Sequence, residues 1–311
     1  MADKPIHCLL NCLAAVLSER ELDCRPLFFG VWDEPFSATG SGISYFDENL
    51  RMDPLLRRFV SLYSGKFVFW YDAAKSREDN FAELARRLSD SKRENQLILV
   101  DLFYLPYSPS YRKKHLPHIV IADRGDATGY RVRDPFFGWS GFAEDTVLRE
   151  AFGCGSLYMG LALDAESLAP PGTEATAAAF EASLALPPNR LAEEVRSFLR
   201  RKEERPANEW FECLEQVGIL SKRYCGYELA LAFFREDDIL PADRASESCG
   251  ELLRVWENVM YGIAKLAVTG KKIDPVPIDG KLDKIVALEA EVRLSLRDRY
   301  REWRDRHRID A

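Results

Sequence analysis

The stretch His118–Pro135, HIVIADRGDATGYRVRDP, decides how the first half of this chain folds. Arg124-Gly125-Asp126-Ala127-Thr128 has the composition of a turn, and runs rich in β-branched and aromatic residues flank it, so the segment reads as a β-hairpin. Centring the hairpin on residue 126 sets Ala122 opposite Tyr130 and His118 opposite Asp134. The two-residue period of a strand then places His118, Val120, Ala122, Tyr130, Val132 and Asp134 on one face. That face is apolar except at its far end, where an imidazole meets a carboxylate. A carboxylate beside a histidine fixes the imidazole tautomer and stabilises its charged form, the arrangement a catalytic triad requires.

Outward from the hairpin, Pro26–Trp32 (PLFFGVW), Phe67–Tyr71, Leu97–Phe103 and Ser156–Leu163 also read as strands. Asp53–Tyr63, opened by a cap and a proline at Asp53-Pro54, and Arg77–Leu88 read as helices. A helix from Cys8 to about Glu21 precedes every strand, which suggests an α+β layer. After Asp164 the texture changes. Pro170-Pro171-Gly172 suits a linker, and beyond it only helical periodicity is visible: Leu191, Val195, Phe198 and Leu199; Leu252, Val255, Val259 and Ile263; and a last stripe running from Leu282 through Ile285, Leu288, Val292, Leu296 and Tyr300 to Trp303. The expected organisation is an α+β domain over residues 1–165 and an all-helical domain over 166–311.

Composition agrees with two globular domains: 311 residues, 47% hydrophobic, with ordinary glycine and proline content. Disorder and fibrous repeats are excluded. The longest uncharged apolar run, Cys154–Leu163, has ten residues, short of the ~18 a membrane span needs. The start, Met-Ala-Asp-Lys-Pro, lacks the build of a signal peptide, so a cytoplasmic protein without a membrane partner is expected. Asp and Glu outnumber Lys and Arg by 50 to 43, a formal charge of −7. This argues against nucleic acid as a partner and suits a cationic small molecule. The seven cysteines contain no CxxC pair, which points to reduced thiols, most of them in the core.

Cys8 is the candidate nucleophile. At a helix N-terminus the unsatisfied amides and the dipole favour a thiolate, and the same amides suit the oxyanion of an acyl-transfer intermediate. Cys12, one turn later, lies inside the helix where the amides are already bonded. Cysteine on a helix, followed by histidine and aspartate on a sheet, is the papain-like order. Two other readings fit the same residues: a structural His–Asp pair beside a buried thiol, and a metal site built from His7, Cys8, His115 and His118, whose spacing matches no standard zinc pattern. FSATGSGISYF around Gly40 and Gly42 reads as a flexible loop, and neither it nor Thr269-Gly-Lys-Lys is a P-loop.

Three segments carry a resemblance: IHCLLNCLAAVL, VDLFYLPYSPSYRKKHLPHIVIADRGD and YRVRDPFFGW. Together they resemble the N-terminal domain of the butirosin-biosynthesis acyltransferase family, and FFGVWDEPF resembles the branch serving petrobactin siderophores. The matching residues are His7-Cys8, Asp101 with Tyr104-Leu105-Pro106-Tyr107, Pro117-His118 and Asp134-Pro135. The resemblance implies a papain-like cysteine enzyme with Cys8, His118 and Asp134 catalytic. Its donor would be the phosphopantetheine thioester of an aryl carrier protein, with no bound cofactor or metal. Its acceptor would be a polyamine such as spermidine, and the group moved 3,4-dihydroxybenzoyl. Asp101, Tyr104, Tyr107, Phe136, Trp139 and His7 would contact substrate, Phe137 would join the aryl wall, and Arg112, Lys113 and Lys114 would meet the carrier. The helical domain would complete the substrate site. A papain-like amidase or peptidase, transfer to an aminoglycoside, and a non-catalytic carrier-binding scaffold stay open, as does a homodimer.

Overall fold

In the computed structural model, the described residues are 4–45, 52–90, 94–126, 128–184, 189–200, 207–235, 244–269 and 276–307. The chain runs α1 (Cys8–Glu19), β1 (Ser37–Thr39), β2 (Gly42–Ser44), α2 (Asp53–Tyr63), β3 (Lys66–Phe69), α3 (Arg77–Asp90), β4 (Glu94–Asp101) and β5 (Pro117–Asp126). It continues with β6 (Gly129–Asp134), β7 (Trp139–Glu144), α4 (Asp145–Ala151), β8 (Gly160–Asp164), α5 (Thr173–Ser183), α6 (Arg190–Arg200) and α7 (Ala207–Leu214). The last elements are α8 (Val217–Leu220), α9 (Cys225–Arg235), α10 (Arg244–Thr269) and α11 (Val276–Arg306). The protein is thus mixed helix and sheet. It divides into two units, Met1–Leu27 with Met52–Pro171, and Phe28–Arg51 with Gly172–Ala311.

The first unit holds an antiparallel six-stranded sheet in the order β3-β8-β4-β5-β6-β7. Ile98, Val100, Val120 and Val132 on one face join Phe81 of α3 and Leu148 of α4 in a single buried core. On the other face Leu97, Leu99, Ile119 and Ile121 are equally buried. Central strands buried on both faces explain the near-continuous apolar runs LILV and HIVIA. The helix α1 packs along β5, and the Cys12 thiol donates to the Ile119 carbonyl at 3.4 Å. Arg133 of β6 ties the layers together. Its Nε donates to Asp123 of β5 at 2.6 Å, its Nη2 to Asn95 of β4 at 2.8 Å, and its Nη1 to Glu19 in the last turn of α1.

The hairpin differs from expectation in register. Ala122 pairs with Val132 and Ile121 with Arg133, with an irregularity between Asp123 and Asp126. The slip is two residues, an even number, so the same side chains still share a face. Ala127 and the side chain of Asp126, at the tip, lie outside the described residues.

The second unit is helical from α5 onward among the described residues. The strand expected at Pro26–Trp32 is instead two 3-10 turns, Arg25–Phe28 and Val31–Asp33, separated by Gly30 at φ 78°. A short apolar run carries no period that separates strand from buried helix. Its large side chains are buried by ring packing, with Phe29 stacked on Phe234 and Trp32 on Tyr227. For the same reason residues 28–51 cluster with the second unit rather than with the first, where the sequence reading put them. The expected loop at Gly40–Gly42 is the turn of the β1–β2 hairpin, with Ala38 paired to Ile43. Of the last helical stripe, all but Leu288 are buried, and Glu289 is buried beside it, accepting from the Tyr227 hydroxyl at 2.5 Å and from Arg293.

Replacing Arg133 by alanine removes the clamp among α1, β4 and β5 and leaves Asp123 and Glu19 without it. Because the guanidinium is partly solvated, the expected loss is about 1–3 kcal/mol of unfolding free energy, read from urea denaturation.

Candidate active site

The site stands where α1 begins beside β5 and β6. His7 is the N-cap residue of α1, extended at φ −156° and ψ 125°, and no side chain caps the helix. The Asn11 carboxamide oxygen accepts from the Ile6 and His7 amides at 3.1 and 2.9 Å, and its amide group donates to the Lys4 carbonyl at 2.8 Å. Asn11 is 1% exposed. It therefore pins residues 4–7 onto the first turn and fixes where Cys8 starts the helix. Sequence reasoning missed Asn11. The signal was a lone amide in an otherwise apolar helix, four residues after His7.

The His118 Nε2 lies 3.0 Å from the Asp134 carboxylate. A hydrogen bond to Cys8 contributes to the His118 environment. The three residues predicted from sequence are thus together. Asp134 has no exposed surface. Besides His118 it receives the Tyr107 hydroxyl at 3.0 Å and the Phe137 amide at 3.2 Å. The Phe137 amide is presented by the four-residue turn from β6 to β7, which closes at Gly138 with φ 63°, a conformation glycine adopts without strain. Burial opposes charge on His118, but the hydrogen bonds to Asp134 and Cys8, with their negative charge, outweigh it and raise its pKa from 6.5 to about 9. Cys12 has the opposite setting: burial first, then Asp134 and Cys8, push its thiol well above the ordinary value.

The aromatic residues divide into two groups. Tyr107 stacks on Trp139 at 3.9 Å, and the pair roofs Asp134. Burial and Asp134 push the Tyr107 phenol upward, so it stays a donor. Phe136 and Phe137 pack against the His118 ring at 5.4 and 5.2 Å. Tyr104 lies elsewhere, edge-on to Phe103 and tilted against His115. Asp101, 4% exposed, accepts from the Phe103 amide at 3.0 Å, the Leu116 amide at 3.2 Å and His115 Nδ1 at 2.6 Å. Its carboxylate is therefore held by the chain's own donors, which leaves little of it for an ammonium. Arg112 and Lys113 are exposed on the β4–β5 loop. The Arg112 guanidinium lies over the Tyr111 ring at 5.5 Å, and Lys113 bonds the Pro109 carbonyl at 3.2 Å. Lys114, half-buried, follows on the same loop. All seven cysteines are free thiols. Among the described residues no group of three or more His, Cys, Asp and Glu could hold a metal ion, and no helix is long and apolar enough to cross a membrane.

Two measurements test this geometry. Because its folded pKa is raised, the charged His118 contributes stability that is complete below about 6.5 and lost as pH rises through about 9. An NMR titration of the ring is expected to show a midpoint near 9. In Asp134→Asn, burial acts without its counter-charge and the midpoint falls; an unmoved midpoint removes Asp134 as the cause. Asn11→Ala removes the hydrogen bonds that Asn11 makes to two amides and a carbonyl at the helix start. A loss of roughly 1–3 kcal/mol in stability is expected by thermal unfolding, with slower alkylation of Cys8 by iodoacetamide.

The chain matches the model of the DUF6005 N-terminal domain over residues 3–168 and that of the DUF6005 C-terminal domain over residues 174–311. It is 28% identical, over 98% of its length and 97% of the relative's, to petrobactin synthase of Bacillus anthracis. The two family models between them span nearly the whole chain, and the chain belongs to the DUF6005 family.

Proposed function

We propose that this chain is a siderophore-biosynthesis acyltransferase that works through an acyl-cysteine, with a papain-like first domain akin to the butirosin acyltransferases. The observation that carries the reading is Cys8 at the uncapped start of α1, hydrogen-bonded to a His118 that Asp134 holds from behind. The near full-length similarity to petrobactin synthase supports the pathway. On this reading the donor is an aryl group, 3,4-dihydroxybenzoyl, carried as a thioester on a carrier protein, and the acceptor is a polyamine such as spermidine or its citryl conjugate.

The Cys8 thiolate attacks the thioester carbonyl. The oxyanion is met by the first-turn amides of α1, where the helix dipole also favours negative charge. His118, held charged by Asp134, gives its proton to the departing pantetheine sulfur, and the aryl group stays on Cys8. The amine then attacks that thioester, neutral His118 takes the proton released as the C–N bond forms, and the Cys8 thiolate leaves with the amide made. Phe136 and Phe137 exclude water from the His118 ring, which favours aminolysis over hydrolysis. Tyr107 and Trp139 serve the reaction by holding Asp134. The cationic loop Arg112-Lys113-Lys114 faces the phosphate of the pantetheine arm and an acidic carrier surface.

Intact-protein mass spectrometry tests this directly. Mixing the chain with a 3,4-dihydroxybenzoyl thioester is expected to give an adduct on Cys8, absent in Cys8→Ala and cleared by spermidine. An adduct cleared equally fast by water alone would make the chain a hydrolase. No adduct from any carrier-linked acyl group would end the covalent reading.

A further inference from the structure

A second histidine–carboxylate pair stands beside the first, and its exposure is the reverse. His115 Nδ1 meets the Asp101 carboxylate at 2.6 Å, with the Asp101 side chain 5% exposed and that of His115 60% exposed. The His115 ring is stacked flat on Phe103 at 4.2 Å and 18°, so it is held in one orientation, with Nδ1 inward and the Nε2 edge toward solvent. Asp101 is itself fixed by the Phe103 and Leu116 amides and hydrogen-bonded to the Cys154 thiol. In the β4–β5 ladder Val100 pairs with His118 and Asp101 with Pro117, so both pairs occupy the same end of the sheet. The two histidines are three positions apart in the chain, so their Cα atoms lie no more than about 11 Å from each other.

The acceptor chemistry of the proposed function asks for two bases. A primary ammonium has a pKa of about 10.4, so at neutral pH fewer than about one in a thousand such groups is unprotonated. An alkylammonium must lose one proton before it can attack and a second as the amide forms. In the acyl-enzyme, neutral His118 takes the second and so restores the charged partner of the Cys8 thiolate. It is 4% exposed, far less open to water than His115, whose side chain is 60% exposed.

Resting on that reading, the geometry points to His115 as a second catalytic base, oriented by Asp101, which takes the first proton from the incoming ammonium and releases it to solvent. The balance is RNH3⁺ to RNH2 with the proton on His115 Nε2, then to water; RNH2 attacks the acyl-Cys8 carbonyl, the C–S bond breaks, and the remaining proton goes to His118. Asp101 acts here as a positioning residue. Among the charged and titratable side chains around His115, Asp101 bonds it and Tyr104 lies against its ring; Cys154 bonds Asp101, and Lys113 and Lys114 precede His115 in the chain. Burial and Asp101 push the Cys154 thiol up to about 12, so it remains a neutral donor to the carboxylate.

The test separates the half-reactions in the full chain with an aryl thioester as donor. His115→Gln, a change at an exposed position, is expected to acylate Cys8 at the wild-type rate and to transfer to spermidine about 10²-fold more slowly. The deficit should shrink as pH rises and free amine accumulates. With hydroxylamine, which enters unprotonated, His115→Gln should match wild type. Asp101→Asn, which keeps His115 but loses its orientation, should show the same selective defect in milder form. An equal loss with both acceptors, or unchanged transfer to spermidine, overturns the assignment of His115 alone. Failure of the wild-type chain to form an acyl-Cys8 overturns the acyltransferase reading and this one with it.

Discussion

A carboxylate with no surface in water must find its solvation inside the protein, and Asp134 finds it from three directions. The His118 ring, the Tyr107 hydroxyl and the Phe137 amide all point at it. Taking a charged group out of water costs several kcal/mol unless such donors meet it. Each donor comes from a different piece of chain: the start of β5, the loop after β4 and the turn after β6. The carboxylate therefore demands that all three pieces be in place at once, and it makes the arrangement of one end of the sheet cooperative. The Tyr107–Trp139 stack and the ring contacts of Phe136 and Phe137 shield that centre from water and keep its electrostatics strong.

The position of Cys8 depends on a second, independent device. Helix α1 has to begin at a definite residue for the thiol to meet an imidazole that belongs to the sheet. Asn11 sets that start by closing the segment Lys4–His7 back on the first turn. At its other end α1 is tied through Glu19 to Arg133, the neighbour of Asp134 in β6. A helix whose start is fixed by Asn11, and which is tied to β5 through Cys12 and to β6 through Glu19, is a rigid support for a site that would tolerate errors of only a fraction of an ångström.

How much of this was legible in the sequence follows from the length scale of each signal. The pairing of His118 with Asp134 survived a two-residue error in register because faces alternate with period two, and an even slip leaves them unchanged. The helical stripes of α6, α10 and α11 were legible because each spans several turns. Pro26–Trp32 was misread as a strand because seven apolar residues carry no period, and Gly30, with φ 78°, was the one sign of a break. Glu289 was invisible for a different reason. A glutamate beside an apolar stripe reads as solvated until Arg293 and Tyr227, four and 62 residues away, are seen to meet it. Asp101 was expected to contact substrate, because sequence gives no hint that amides two and 15 residues on would take one oxygen and His115 the other.

The two histidines show how one end of the sheet gives the same side chain two unlike settings. Both imidazoles lean on an aspartate that the chain's own amides and hydroxyls hold still. Yet His118 sits among Phe136 and Phe137 while His115 lies with one face on Phe103 and its edge in water. At His118 the hydrogen bonds to Asp134 and Cys8 and their negative charge outweigh burial, so the imidazole keeps its proton, with a pKa raised to about 9. Such a group suits a reaction that returns to an ion pair after every turnover. In the proposed reaction His115, whose side chain is 60% exposed, has the opposite task of carrying protons away. Only Leu116 and Pro117 separate these environments, because His118 lies in the sheet and His115 stops just short of it.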